Sequence, residues 1–337
     1  MIRLAVVLAS LAVASASGPR RKNLIYMIAD DLRPQLGAYG QAMMSTPNLD
    51  ALAARGTTFM AAYAQVAVCC PSRSSFMTGR RPNVTQVFDN TGSDFRVNGL
   101  DGGSWDTVPG HLKDSGWTTV GGGKTFHPKK PPNWDGDRSW DMSERGYFDF
   151  SYYLKDHHCP NAAKRVDVPG QPISEIDTWC PIDTPVFRDN ELFYDATLAN
   201  YTDHTMAILA RRFQEGHGPF ALYAGFARPH VPHRVPKALF DHYFAIGDVP
   251  EHPRVPENLP PIAYHRQGLY NYSTYEEPVG GWFVPNYTSV LTVNEQRTAR
   301  AAYYASVTWM DMQVGRLMSR LADLGIENDT VVVFHGE

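Results

Sequence analysis

Short apolar runs that end abruptly on charged or glycine-rich segments constrain this chain most. Residues 23–29 form such a run and stop at Asp30 and Asp31. Its length and β-branched content read as a strand buried on both faces. Residues 117–120, 220–226 and 330–334 repeat the pattern, and glycines 121–123 read as a flexible turn after the second run. Helical segments lie between the runs. One opens with Thr46 as N-cap and Pro47 at its first position, runs through Ala54 and stops at Gly56. Another, residues 195–213, is amphipathic through Leu198, Met206, Ile208, Leu209 and Phe213, and a third, 294–324, ends at Gly325. Strands alternating with helices predict an α/β fold with a mostly parallel central sheet and helices on both faces. In such sheets ligands bind beyond the carboxyl ends of the strands. Residues 129–186 read as a long insertion and 250–285 as a Pro-rich loop; there is no internal repeat.

The 337 residues allow one large α/β domain or two smaller ones. Lys and Arg number 31 against 35 Asp and Glu, so the basic excess expected of a nucleic-acid partner is absent. Residues 1–17 have the form of a secretory signal peptide: Arg3, an apolar stretch over 4–14, and the small residues Ala14, Ser15 and Ala16. The apolar stretch is shorter than the ~20 residues a membrane span needs, and no later stretch qualifies. The expected organisation is therefore a signal peptide, 1–17, followed by one domain over 18–337.

Export makes disulfides admissible. Cys159 and Cys180, each followed by Pro and separated by a loop-like segment, read as a pair, which on the chain-entropy view would stabilise by roughly 3 kcal/mol. Beside Cys159 stand His157 and His158, but no second cluster completes a metal site there. Cys69 and Cys70 are adjacent, unlike the spacing of zinc or redox motifs. Sequons at Asn83, Asn200, Asn271, Asn286 and Asn328 agree with a secretory route, leading to a lysosomal or extracellular glycoprotein.

The most informative segment is 69–80. Cys69, Pro71, Ser72, Arg73, Met77, Thr78, Gly79 and Arg80 match C-x-P-S-R-x-x-x-[LM]-T-G-R at every fixed position. On this motif the chain resembles the type I sulfatases of the alkaline-phosphatase superfamily. Matching flanks run through 30–34, 123–128, 180–183 and 228–232, and the similarity reaches from about Asn23 to the last residue. The flanks resemble those of the branch that removes 2-O-sulfate from iduronate in glycosaminoglycans.

The resemblance implies an alkaline-phosphatase-like fold and a set of roles. Cys69 is the residue that a formylglycine-generating enzyme oxidises during synthesis. The hydrated aldehyde offers two hydroxyls on one carbon, one to attack sulfur and one to collapse and release sulfate. Cys70, at a variable position, is a packed thiol. Asp30 and Asp31 are hard oxygen donors suited to Ca²⁺ or Mg²⁺, and the resemblance makes them metal ligands together with the modified Cys69. Arg73 orients and stabilises the hydrate, Lys124 contacts sulfate, His127 assists hydrate breakdown as a base, and His230 contacts sulfate and protonates the leaving oxygen. His233 has no assigned role.

At its end the chain departs from the family. After the run 330–334 it reads His335, Gly336 and Glu337, placing Glu337 by spacing where the family has a ligand Asp. The next ligand, a further sulfate-binding Lys and the C-terminal subdomain are expected to be missing. The expectation is thus a secreted or lysosomal sulfuric ester hydrolase of sulfated sugars. Its rivals are a catalytically impaired sulfatase-like glycan-binding protein and a phosphodiesterase or phosphonate hydrolase of the same superfamily.

Overall fold

A computed structural model describes residues 21–92, 94–141, 146–149, 179–182, 193–231, 233–248 and 293–337, with 258 and 260. The signal peptide, the Cys159–Cys180 pairing, the sequons at Asn271 and Asn286, and most of the two long insertions lie outside the described residues or side chains. Seven strands are described: β1 (Asn23–Asp30), β2 (Thr118–Gly123), β3 (Tyr147–Phe148), β4 (Trp179–Ile182), β5 (Phe220–Pro229), β6 (His233–Pro236) and β7 (Thr330–Gly336). Five form one sheet in the order β3-β2-β5-β1-β7, with every pairing parallel. β4 and β6 form a separate parallel pair.

Period-two alternation divides the sheet's side chains between two cores. Ile25, Met27 and Ala29 of β1 and Phe220, Leu222, Ala224 and Phe226 of β5 face one side. There they pack against the helices Tyr194–Gln214 and Val293–Asp323. Ile28, Ala221 and Tyr223 face the other side, with Cys70 and Met77 of the Cys69–Thr78 helix, Phe126 and Trp140. Both faces are covered, which explains why these strands read as unbroken apolar runs.

Glycines 121–123 are not a flexible turn. They belong to β2, paired with Tyr223, Ala224 and Gly225 of β5. A Cβ on Gly121 would meet the Trp140 ring at 2.7 Å, and one on Gly123 would enter the Gly225 carbonyl. Glycine is required there by close packing between strands and rings, not by flexibility.

Thr46 stands at the N-cap of the Pro47–Ala54 helix without capping it. Its hydroxyl instead accepts from the Gly37 amide and donates to Asp50. The free amides of Asn48 and Leu49 go to the buried carboxylate of Asp311, on the long helix Val293–Asp323. A tertiary partner has taken over the local cap.

Candidate active site

Because the sheet is parallel, its strands deliver their carboxyl ends to one edge. Asp30 ends β1, Lys124 follows β2, His230 follows β5 and Glu337 follows β7. Cys69 arrives from the flank as the first residue of the Cys69–Thr78 helix, and Arg73 lies one turn on.

Arg73 organises these groups. Its Nη2 donates to Asp30 Oδ1 at 2.8 Å, its Nε lies 3.1 Å from Glu337 Oε2, and its Nη1 donates to the carbonyls of Lys124 and Thr125. Lys124 Nζ pairs with the other oxygen of Asp30 and lies 3.4 Å from Cys69 Sγ. Asp30, Arg73 and Lys124 are all buried. Burial pushes the Asp30 carboxyl up, but Lys124 and Arg73 outweigh it and hold it well below the usual carboxylate range. Burial lowers the Lys124 ammonium, and Asp30 and Cys69 more than reverse that. For the Cys69 thiol, burial first and Asp30 second act together and push it up to about 12. An unmodified Cys69 is therefore a neutral thiol at pH 7 and a weak nucleophile.

The irregular end of β5 places His230. Ala29 pairs with Phe226, but Asp30 pairs with Pro229, so Ala227 and Arg228 bulge out of the ladder. Their amides donate instead to the buried carboxylate of Asp195, at 2.7 and 3.1 Å. Beyond the bulge, His230 Nε2 lies 3.8 Å from Asp31 Oδ2, and its Nδ1 contacts the Val231 carbonyl. Burial, reinforced by Lys124, lowers the His230 pKa, so the ring is neutral at pH 7. Asp31 itself has a left-handed backbone, φ 57°. Tyr303 of the long helix secures it by donating from its hydroxyl to the Asp31 carbonyl and accepting from the Arg33 amide, both at 2.8 Å.

Donor atoms of Asp30, Asp31, Cys69 and Glu337 lie within 4.8 Å of one another, as do those of Asp30, Cys69 and His230. The Glu337 side chain is 2 % exposed; Arg73 Nε faces its Oε2 at 3.1 Å, out of line for a hydrogen bond, and Asp30 stands beside it. Burial, opposed by Arg73, pushes the Glu337 carboxyl up to about 8. Three converging carboxylates fit a hard divalent cation. The soft sulfur of Cys69 does not; an oxygen at that position would complete the set.

Of the residues expected from sequence, the structure gathers Asp30, Asp31, Cys69, Arg73, Lys124 and His230 at one place. His127 stands outside both donor sets, with its Nδ1 3.3 Å from the Pro128 carbonyl. It nevertheless feels the cluster: burial, then Lys124 and Arg73, lower its pKa to about 4. Cys70 is fully buried in the core, and its amide donates to Asn90 Oδ1 at 2.8 Å. Asp195 and Tyr303 give no sequence signal, since each works through a backbone group distant in the chain.

A family profile described as Sulfatase matches residues 22–336. The chain belongs to the sulfatase family. It is 33 % identical over 346 residues to iduronate 2-sulfatase of Homo sapiens, a match covering 99 % of this chain and 58 % of that protein. With iduronate 2-sulfatase of Mus musculus it is 32 % identical over 317 residues, covering 93 % of this chain and 53 % of that one. The sulfatase chain thus spans little more than half the length of these curated relatives. Among solved structures, phosphonate monoester hydrolase of Agrobacterium radiobacter superposes with a TM-score of 0.62 at 22 % identity, covering 94 % of this chain and 62 % of that one. A protein described as a 2-O GAG sulfatase superposes with a TM-score of 0.54 at 20 % identity, covering 94 % and 58 %. These likenesses establish the alkaline-phosphatase-like α/β fold. Among the described residues no helix is long and apolar enough to cross a membrane.

Proposed function

We propose that the protein is a sulfuric ester hydrolase whose reactive side chain is formylglycine made from Cys69 by a formylglycine-generating enzyme. The observation that carries this reading is the convergence of Asp30, Asp31, Cys69 and Glu337 within 4.8 Å, beside the buried cations Arg73 and Lys124. Asp30, Asp31 and Glu337 would hold a divalent cation, Ca²⁺ or Mg²⁺, which when bound supplies Lewis-acid polarisation of an oxygen at position 69. Oxidation of Cys69 supplies that oxygen as a hydrated aldehyde, the nucleophile expected from the motif.

The remaining work falls to the chain's own side chains. Lys124 Nζ lies 3.4 Å from Cys69 Sγ, so an anionic group seated on that side chain meets a buried positive charge. Arg73 compensates two carboxylates at once and fixes the loop carrying Lys124 through the Lys124 and Thr125 carbonyls. His230 presents Nε2 beside Asp31; once protonated there, it is placed to pass that proton to the leaving oxygen. His127, also neutral, serves as the base for the hydrate.

The substrate reading is 2-O-sulfated iduronate in a glycosaminoglycan, met in a lysosome or outside the cell. It is supported by the resemblance to iduronate 2-sulfatase over nearly the whole of this chain. The domain reading is a signal peptide, 1–17, followed by one catalytic domain. The test is mass spectrometry of the Cys69 peptide from a host competent to make formylglycine, paired with turnover of an aryl sulfate and an aryl phosphonate. Formylglycine together with preferential sulfate turnover, abolished by Cys69→Ala, is expected. Only unmodified cysteine, or preference for the phosphonate, overturns the reading.

A further inference from the structure

The unoxidised form of this chain presents a different donor set from the oxidised one. Sulfur from Cys69, imidazole nitrogen from His230 and carboxylate oxygen from Asp30 lie within 4.8 Å of one another. Asp31 adds a second carboxylate, 3.8 Å from His230 Nε2 and within 4.8 Å of Cys69. Thiolate, imidazole and carboxylate together are the donors that Zn²⁺ takes in tetrahedral sites. With bonds of 2.0–2.3 Å, tetrahedral ligand atoms stand about 3.3–3.8 Å apart, so small side-chain adjustments close the set.

Three further features favour this. The His230 Nδ1 contact with the Val231 carbonyl fixes the tautomer with Nδ1 protonated and the Nε2 lone pair facing Asp31. Carbonyl-tied imidazoles of this kind are the usual metal-binding arrangement. Lys124 Nζ stands 3.4 Å from Sγ, placed to donate to a metal-bound thiolate. The third feature is charge. Asp30, Asp31 and a Cys69 thiolate, with Glu337 protonated beside them, outnumber Arg73 and Lys124 by one negative charge, so the ligand set favours a cation.

We infer that the chain with unmodified Cys69 is a zinc-binding protein, holding Zn²⁺ through Cys69 Sγ, His230, Asp30 and Asp31. As the zinc–sulfur bond forms, Sγ releases its proton to solvent. The inference needs only cysteine at position 69 and stands apart from any turnover by the oxidised form. Where the sulfatase reading also holds, the atom at position 69 selects the metal: sulfur takes zinc, and oxygen takes a harder ion.

The test uses protein made in a host without a formylglycine-generating enzyme, titrated with Co²⁺ as a spectroscopic stand-in for zinc. A sulfur-to-cobalt charge-transfer band saturating at one ion per chain, and bleached by added Zn²⁺, is expected. Cys69→Ser should abolish the band, and Cys70→Ser should leave it. His230→Ala should weaken Co²⁺ binding by at least about tenfold, and circular dichroism checks that each variant is folded. No band in folded protein, a band that survives Cys69→Ser, or one lost with Cys70→Ser overturns the inference. None of these outcomes bears on whether oxidised protein hydrolyses sulfate esters.

Discussion

Arg73 and Asp30 form a buried pair, Nη2 to Oδ1 at 2.8 Å, with both side chains 1 % exposed. Removing one partner of such a pair leaves the other charge buried without compensation. Arg73→Ala is expected to lower stability by about 3–5 kcal/mol, read as a shift in urea midpoint at unchanged slope. Arg73→Lys should not restore it. A single ammonium cannot reach Asp30, Glu337 and the carbonyls of Lys124 and Thr125 together.

Asp195 accepts the two amides that the β5 bulge removes from the ladder. Asp195→Ala would orphan both, at about 1–3 kcal/mol each. The expected loss of stability is about 2–6 kcal/mol. Asp195→Asn, which keeps one acceptor oxygen, should lose roughly half as much. A change below about 1 kcal/mol in the alanine variant would show that the bulge does not depend on this carboxylate.

Gly225 has no room for a methyl group, because a Cβ there would enter the backbone of Lys124. Backbone cannot yield as the tip of a side chain can. Gly225→Ala should therefore destabilise by at least about 3 kcal/mol. It should also weaken anion binding at the site, since the Lys124 amide donates to the Gly225 carbonyl at 2.7 Å. Thermal unfolding with and without added sulfate measures both effects.

His233 is buried, with Ser306 Oγ at 3.3 Å and the Tyr303 ring edge-on. Burial, then the neighbouring Arg228 and His230, lower its pKa to about 3. Its ordinary value is near 6.5, so below that pH the unfolded chain takes up a proton that the folded chain refuses. The contribution of a neutral His233 is fully present above pH ~6.5 and fades as pH falls toward 3. Between pH 7 and 4.5 this one group costs about 2–3 kcal/mol of stability. Urea midpoints of the parent and His233→Gln should converge as pH falls over that range; parallel curves would refute the assignment.

If Asp30, Asp31 and Glu337 hold a cation, adding it should raise the unfolding temperature. At a free concentration of 100 times Kd the gain is about 2.7 kcal/mol, removed by a chelator. Asp31→Asn should blunt the response without unfolding the protein, because Asp31 is half exposed.

The central strands β1, β2 and β5 were legible because they are buried on both faces, and continuous apolar runs follow from that in β1 and β5. The residues around Cys69 were legible because their spacing is local and fixed by one helix turn. Other features left no such trace. Glycines 121–123 resemble a loop until Trp140 and Gly225 are seen pressed against them. Thr46 has the chemistry of a cap, yet Asp311 reaches the free Asn48 amide from 263 residues away. Glu337 was placed by its distance from the last strand, but its pairing with Arg73 becomes visible only once β7 lies beside β1.

That placement of β7 also sets a timetable. Leu24 is flanked by Ala221 on one side and Val331 on the other, so the first strand waits for nearly the whole described chain before its ladders can close. Asp31 likewise waits for Tyr303, 272 residues downstream. Until those late segments are present, the ladders that bring Asp30 and Glu337 to Cys69 cannot close. Once they have joined, Cys69 is 6 % exposed. Chemistry that requires access to its sulfur is therefore hindered once the sheet is complete, and alkylation of Cys69 should be slow in the folded chain and fast in urea.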